Sequence, residues 1–197
     1  MRWQAQSQWV IISIFLFTVT PSNTQYCYPE STGLEDGDHQ LTASSASDNS
    51  NPDNARYDVI QPLDSQQISC WQPASTDVFP WIQVDFTQLY DIGSIQFQEC
   101  GGTESSSSNV ILNGVEYSLD ASSFQPFLDS NGALFGPVRI DSSQFETPVE
   151  FWKPFVARQL KLNIGSGSKF RFEVFGCAQT SNDWYCDGGV IDTNVSA

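Results

Sequence analysis

The chain has 197 residues and is strongly acidic, with 23 Asp and Glu residues against 8 Lys and Arg residues and a formal charge of −15. Such a charge argues against nucleic acid or anionic lipid as a ligand, because both bind to basic patches. The length suffices for one domain with a sizeable core, and the acidic surface is compatible with cations and with uncharged or basic partners.

Residues 1–24 have the features of a signal peptide. Arg2 supplies a positive charge, and the apolar run Val10–Val19 contains ten residues. At about 1.5 Å per residue this run is too short to cross a bilayer as a helix, which disfavours a signal anchor. We expect cleavage near Thr24 and a secreted, extracellular protein. Loss of Arg2 leaves 7 basic and 23 acidic residues, a formal charge of 7 − 23 = −16.

Five cysteines follow this segment: Cys27, Cys70, Cys100, Cys177 and Cys186. In an exported protein, cysteines are expected to form disulfides. Because their number is odd, one of them stays a thiol, bonds to another chain, or bonds to sequence beyond residue 197. No Cys-x-x-Cys spacing occurs, which argues against a structural zinc site.

Alternation of apolar and polar residues marks Trp81–Phe86 as the clearest strand. Ile82, Val84 and Phe86 share one face, and polar residues occupy the other. Pro80 precedes the run, where a missing N–H does least harm to a strand ladder. We expect this strand to lie in the core.

Similar patterns predict further strands at Gln40–Ser44, Ile92–Gln98, Val110–Leu112, Val115–Leu119, Val138–Ile140, Leu160–Ile164 and Phe170–Phe175. Asn113-Gly114, between the third and fourth of these, predicts a hairpin, and Pro148–Pro154 is expected to form a bulky turn. No stretch of twelve residues has the sustained apolar spacing of a helix. The sequence therefore predicts an all-β sandwich or barrel.

Candidates for catalysis are few. His39, the only histidine, follows Asp38 in an acidic turn and is expected to be solvated. A Ser–His–Asp triad would need this residue, and no nucleophile-elbow motif is present. We therefore predict that the chain is not an enzyme.

Eight short motifs, in order over residues 27–177, resemble the discoidin family, also called the coagulation factor V/VIII type C domain. They are Cys27, Gly33–Gly37, Leu41–Ser45, Ala55-Arg56, Trp81–Phe86, Tyr117–Asp120, Pro154–Arg158 and Phe170–Cys177. The resemblance implies an antiparallel β-sandwich, or distorted jelly-roll barrel, with ligand-binding loops projecting from one end. It divides the chain into a signal peptide (1–24), a discoidin domain (25–177) and a polar tail (178–197).

The resemblance also implies how the cysteines pair. Cys27 and Cys177 match the bridge that joins the two ends of the family's domain. Cys70 and Cys100 match a bridge found in some members, which leaves Cys186 unpaired and able to link chains.

Arg56, Arg158 and Arg171 match arginines that recur in the family, and we expect them to be structural. Their expected partners are carboxylates such as Glu35, Asp85 and Glu173.

In the family layout three loops project from the binding end, at Ser47–Asn54, Thr76–Pro80 and Gly101–Asn109. Their candidate ligand-binding residues are Asp48, Asn49, Asn51, Asp53, Asn54, Val78, Phe79 and Glu104. The first loop lacks the bulky apolar and basic residues of the phospholipid-binding members, which disfavours lipid insertion. Val78 and Phe79 either form an apolar tip or pack beneath Trp81.

Two kinds of ligand suit loops of this composition. A sugar needs polar groups around an aromatic platform, for which Trp71 and Phe79 are the candidates. Calcium needs about six to eight oxygen ligands, and Asp48–Asp58 is rich in oxygen. We predict no metal or cofactor, with calcium at this segment as the one alternative.

The sequence thus predicts a secreted, non-catalytic module that binds an extracellular glycan or protein in cell adhesion or recognition. Binding to phosphatidylserine membranes is one alternative, and a disulfide-linked scaffold subunit through Cys186 is another. Asn194-Val-Ser196 is a glycosylation sequon, which predicts a glycoprotein.

Peptide mapping of the non-reduced protein tests the disulfide scheme. We expect Cys27 linked to Cys177 and Cys70 linked to Cys100. Closing the longer of these loops constrains the unfolded chain by about 4–5 kcal/mol in the entropic description. A peptide that links Cys70 to Cys186 contradicts the scheme.

Overall fold

The computed structural model describes residues 30–34, 37–48, 50–57, 70–98, 100 and 109–179. Within these residues the chain forms eight strands: β1 (Glu30–Ser31), β2 (Gln40–Ala43), β3 (Trp81–Gln98), β4 (Val110–Ser118), β5 (Gln125–Pro126), β6 (Val138–Ile140), β7 (Val149–Ile164) and β8 (Arg171–Ala178). Pro52–Ala55 and Ser142–Gln144 form short 3-10 turns, and the described ranges contain no α-helix. The strands pair antiparallel, and the fold is the β-sandwich that the sequence predicts.

The two longest strands, β3 and β7, pair along most of their length. The first half of β3 lies between β2 and the second half of β7, whereas its second half lies between β8 and the first half of β7. A shift of register between Asp85 and Tyr90 marks the place where both strands pass from one layer to the other. Both layers of the sandwich therefore share these two strands.

The carboxylate of Asp85 holds this bend. Its Oδ1 accepts a hydrogen bond of 2.8 Å from the backbone N of Thr87, whose φ of +63° is rare for a β-branched residue. Its Oδ2 accepts one of 2.7 Å from Gln159 Nε2, and Arg158 Nε lies 3.5 Å from Oδ1. Burial tends to raise the pKa of Asp85, but these hydrogen bonds and the charge of Arg158 outweigh burial and lower it. Side chains from both strands thus hold the bend.

The core confirms the predicted alternation in the first half of β3. Ile82, Val84 and Phe86 are fully buried, and the residues between them are partly exposed. The largest buried aromatic side chains elsewhere are Trp71, Phe97, Phe170 and Phe172. In β8, a Cβ on Gly176 would lie 2.4 Å from Asp91 O, so only glycine permits this close approach to β3.

Two turns predicted from the sequence are wrong. Asn113-Gly114 lies within β4, at a shift in its register with β7, because pairing with β6 on one side and β7 on the other keeps the chain extended. Pro148–Pro154 is not a turn either, since β7 begins at Val149. Pro154 falls where the ladder with β3 is interrupted, so its missing N–H leaves no strand partner unpaired.

The strands predicted at Trp81–Phe86 and Ile92–Gln98 are one continuous strand.

The expectation that His39 is solvated is also wrong. Its side chain is buried, with Nε2 at 2.6 Å from Thr32 O and the ring edge-on to Phe86 and Tyr90 at centroid distances of 5.2 and 5.6 Å. Arg56 Nη2 donates a hydrogen bond of 2.7 Å to His39 O. This bond draws the turn onto the core, which the acidic neighbours of His39 do not reveal.

Glu173 in β8 is a buried carboxylate, with 1% of its surface exposed. Its Oε1 accepts hydrogen bonds from Thr32 Oγ1 at 3.2 Å and from Val174 N at 2.8 Å. Burial nevertheless raises its pKa, because the charged form loses its hydration.

Glu116 in β4 has a lowered pKa, in contrast to Glu173. Burial tends to raise its pKa, but hydrogen bonds of 2.7 Å from Asn163 and 2.9 Å from Lys161 outweigh burial and lower it. Lys161 Nζ also lies 5.7 Å from the centroid of the Trp81 ring, so the cluster joins β3, β7 and β4 on one face.

Replacing these two glutamates by glutamine should alter the pH dependence of stability in opposite directions. A raised pKa means that the stability from neutral Glu173 is present below the ordinary value of 4.5 and is lost as the pH rises through the raised pKa. Glu173→Gln should therefore gain stability relative to wild type between about pH 4.5 and neutrality.

For Glu116 the stability is present above the ordinary value of 4.5 and is lost as the pH falls through the lowered pKa. The deficit of Glu116→Gln should therefore shrink in acid. Urea unfolding from about pH 3 to pH 8 measures both effects. A Glu173→Gln curve parallel to that of wild type contradicts the prediction.

Candidate functional site

Hydrogen bonds join the first predicted loop to the segment that leads into the second predicted loop. Ser47 N donates to Gln72 O at 2.8 Å, Gln72 N donates to Ser50 Oγ at 3.0 Å, and Ser50 Oγ donates to Cys70 O at 3.1 Å. We call residues 44–48, 50–54 and 70–80 the loop end. Ser47 and Ser50 of the first loop thus hold the segment that precedes the second loop in place.

Asp77 is the centre of a second set of contacts at the loop end. Its Oδ2 accepts hydrogen bonds from the hydroxyls of Ser44 at 2.5 Å and Ser45 at 2.6 Å, and its Oδ1 accepts one of 3.1 Å from Phe79 N. The bonds from Ser44 and Ser45 lower the pKa of Asp77. This role of Asp77 was not predicted, although an Asp two residues before the N–H that it binds is typical of an Asx turn.

Val78 and Phe79 form an exposed tip on this support. Their side chains are 73% and 85% exposed, so of the two arrangements expected for them, packing beneath Trp81 is wrong. Trp81 instead begins β3, and its N donates to Ser44 Oγ at 3.0 Å. We call Val78 and Phe79 the apolar tip.

The predicted bridge between Cys70 and Cys100 is present, with the two Cα atoms 5.5 Å apart. It joins the segment before the second predicted loop to Cys100, two residues after β3. The structure therefore brings Cys100, which directly precedes the third predicted loop, to the end of the sandwich that carries the first two.

The candidate residues of the first loop differ in their exposure. Asp48, Asn51 and Asp53 are exposed, whereas Asn54 is 4% exposed and therefore cannot face a ligand. Asn51 Oδ1 accepts a hydrogen bond of 3.2 Å from Asn54 N and caps the short 3-10 turn. Asp53 pairs with Arg56 at 2.8 Å. Asp48 is thus the one candidate here whose carboxylate has no described structural role.

Trp71, expected as one of two stacking platforms for a sugar, is fully buried. Its Nε1 donates to Ser45 O at 3.1 Å, and its ring packs edge-on against Phe170 at 5.4 Å. The isolated bridge between Trp71 and Phe170 places it beneath the loop end. Phe79 is therefore the exposed aromatic residue of the loop end.

The three family arginines make internal contacts. Arg56, which is 9% exposed, donates to Leu34 O at 2.9 Å in addition to pairing with Asp53. Arg158 lies at the bend of β3 and β7, and Arg171 Nη1 donates to Gln98 Oε1 at 3.3 Å.

The charge of the loop end is negative. Arg56 is the only basic residue between residues 40 and 138 of the chain, and it is buried. Asp48 and Asp53 are exposed in the first loop, and Asp77 directly precedes the apolar tip, so the loop end carries three carboxylates and no basic side chain. Among the described residues, no three His, Cys, Asp or Glu side chains are grouped closely enough to hold a metal ion. No helix in the described ranges could span a membrane.

Several predicted features lie outside the described residues. They are the signal peptide, Cys27, Glu35, Asn49, Asp58, Glu104, Cys186, Asn194 and residues 180–197 of the predicted tail. The Cys27–Cys177 bridge, calcium binding and glycosylation stay predictions. Ala178 ends β8, and Gln179 N donates to Leu89 O at 2.8 Å, so the ladder continues just past the predicted domain boundary.

The chain is similar to one protein-family model and to several solved structures. The model of the F5/8 type C domain matches residues 40–174. No curated protein matches the sequence.

Among solved structures, wild-type discoidin II from Dictyostelium discoideum is 15% identical with a TM-score of 0.58, and the match covers 79% of this chain and 61% of that one. Recombinant discoidin II of the same organism is 16% identical with a TM-score of 0.57, and the match covers 78% of this chain and 60% of that one. The family 32 CBM from C. perfringens NanJ, in complex with galactose, is 13% identical with a TM-score of 0.47, over 75% of this chain and 98% of that one. The chain spans about three fifths of the length of the discoidin II chains.

Asp77→Asn should loosen the apolar tip, because an amide replaces a carboxylate that accepts three hydrogen bonds. We expect a loss of about 1–2 kcal/mol in the free energy of unfolding. Hydrogen exchange at the Phe79 amide should become faster. Asp48→Asn, an exposed change in the adjoining loop, is the control and should leave that exchange rate unaltered. Equal protection of Phe79 in both variants contradicts the role given to Asp77.

Proposed function

Because the chain belongs to the F5/8 type C domain family, we propose that its loop end binds an extracellular protein or glycan without catalysis. The match to the family confirms the resemblance found in the sequence. Domains of this family are ligand-binding modules. In such domains the scaffold defines the fold, whereas residues of the loops bind the ligand. The nature of the ligand therefore has to be argued from the loop end.

The exposed apolar tip is the observation that carries this proposal. A phenylalanine that is 85% exposed on a folded domain can gain about 1.5–3 kcal/mol when a partner buries it. Asp77 already holds the backbone of the tip, so little conformational entropy is lost on binding. An anchor of this kind, rigid before it binds, is typical of interface hot spots.

The negative charge of the loop end restricts the class of partner that can bind there. Asp77 directly precedes the tip, Asp48 and Asp53 are exposed in the first loop, and the one arginine between residues 40 and 138 is buried. A ligand that covers the tip therefore meets an acidic rim, which favours a partner with an apolar pocket and neutral or basic surroundings. A protein surface meets this requirement better than a polyanion does. The predicted signal peptide and the Cys70–Cys100 disulfide support an extracellular location.

Insertion into a phosphatidylserine membrane is the second candidate, because bulky apolar residues at a loop tip can enter the lipid interface. The acidic rim opposes it, since the negative surface potential of such a membrane attracts basic segments and repels carboxylates. We expect no flotation with phosphatidylserine vesicles at physiological salt.

The double variant Val78→Ser/Phe79→Ser tests the loop end as a recognition surface. We expect it to weaken binding to cells and to deposited extracellular matrix by about tenfold or more, because it removes the apolar anchor. Leu119→Ser is the matched control, since Leu119 is 50% exposed away from the loop end and its loss should change little. Both variants and the wild type are compared with and without EDTA.

Three outcomes contradict the proposal. One is binding by the double variant that equals that of wild type. Another is equal loss in the double variant and in Leu119→Ser, which would indicate a nonspecific apolar effect. The third is flotation with phosphatidylserine vesicles together with no binding to cells or matrix, which would favour the membrane candidate.

A further inference from the structure

A second group of exposed apolar side chains lies outside the loop end. Leu128, Leu134 and Trp152 are 42%, 66% and 52% exposed. Trp152 is in β7, and the two leucines face each other across an isolated β-bridge. We call these three residues the side platform. This group was not predicted from the sequence, because Trp152 lies in Pro148–Pro154, which was expected to form a turn.

The side platform is rigid. Trp152 Nε1 donates a hydrogen bond of 2.7 Å to Leu128 O, which orients the indole ring and leaves its N–H satisfied. The turn between the leucines is held by Asp129, whose Oδ1 accepts hydrogen bonds from Asn131 N at 2.8 Å and from Ala133 N at 2.9 Å. Its apolar surface is therefore in place before any ligand arrives.

The interior behind the platform is already filled. Phe127, Phe135 and Phe151 pack against one another with centroid distances of 4.9 to 5.7 Å. Close-packed aromatic side chains leave no room for Trp152 to fold inward. Its exposure follows from the packing of its neighbours.

The size of the platform argues against a second copy of the chain as its occupant. The exposed parts of one tryptophan and two leucines sum to on the order of 300 Å², whereas a stable dimer buries about 800 Å² on each partner. The net charge of −15 opposes the association of two copies as well. A small ligand fits this area.

The polar groups near the side platform include one basic and one acidic side chain, and they include both hydrogen-bond donors and acceptors. Lys153 Nζ lies over one face of the Trp152 ring, 4.7 Å from its centroid, and 52% of the Trp152 surface is still exposed. Glu150, two residues before Trp152 on the same side of β7, is exposed, as are Ser130 and Asn131 in the turn. The charges of Lys153 and Glu150 cancel, which favours a neutral ligand with both donors and acceptors.

We propose that the side platform binds a neutral saccharide ring. The apolar C–H face of the sugar stacks on Trp152, whose π-face carries partial negative charge and attracts polarised C–H groups. Lys153 donates to sugar hydroxyls and Glu150 accepts from them. This site shares no residue with the loop end, so the chain presents two separate recognition surfaces.

Titration with lactose, N-acetyllactosamine, cellobiose and chitobiose, and with sialyllactose as the acidic probe, tests the platform. We expect at least one neutral probe to bind, as followed by the tryptophan indole N–H signals in NMR spectra. Trp152→Ala should weaken this binding by about tenfold or more, whereas Trp152→Phe, which keeps an aromatic face, should retain most of it. Val78→Ser/Phe79→Ser should bind the sugar as wild type does.

The design separates failure of this inference from failure of the loop-end proposal. The inference is overturned if wild type binds none of the neutral probes, if only sialyllactose binds, or if Trp152→Ala binds as tightly as wild type. Loss of sugar binding in Val78→Ser/Phe79→Ser, with binding retained in Trp152→Ala, also overturns it and assigns the sugar to the loop end. Circular dichroism of Trp152→Ala establishes that the variant is folded.

Discussion

Antiparallel pairing of β3 with β7 through a common bend is the constraint on which the rest of the structure depends. Because each strand contributes to both layers, the bend decides how the layers face each other and where the strand ends lie. Asp85 fixes it by accepting hydrogen bonds from Thr87 and Gln159. The bend returns the chain to the end from which it started, and there Cys70, before β3, bonds to Cys100, after it.

Polar residues at the loop end serve mainly as scaffold, and this changes which residues are available to a ligand. Ser44, Ser45 and Asp77 bind one another and the backbone of the tip, and Asn54 is buried. What remains exposed is an apolar tip with an acidic rim. The side platform around Trp152 differs in charge, since Lys153 and Glu150 beside it are of opposite sign. Two such surfaces suit two chemically distinct partners.

Local sequence patterns predicted the structure correctly where the alternation of one strand determines which residues are buried. They failed where pairing with strands on both sides determines the path of the chain. Ile82 and its alternating neighbours could be predicted, because period-two patterning records directly which face is buried. Asn113-Gly114 could not, since its hairpin preference is worth less than the ladders that β4 forms with β6 and β7. His39 was misplaced because Arg56, distant in sequence, draws its turn onto the core.

The sequence by itself determined the all-β class, the family and the acidic charge, which are matters of local periodicity, ordered motifs and residue type. The Cys70–Cys100 bridge followed from the resemblance to the family. The tertiary structure alone decided that Trp71 is buried while Val78 and Phe79 are exposed, and that Trp152 stands on a rigid platform. Exposure depends on what packs on each side of a residue, and those neighbours come from strands far apart in the sequence.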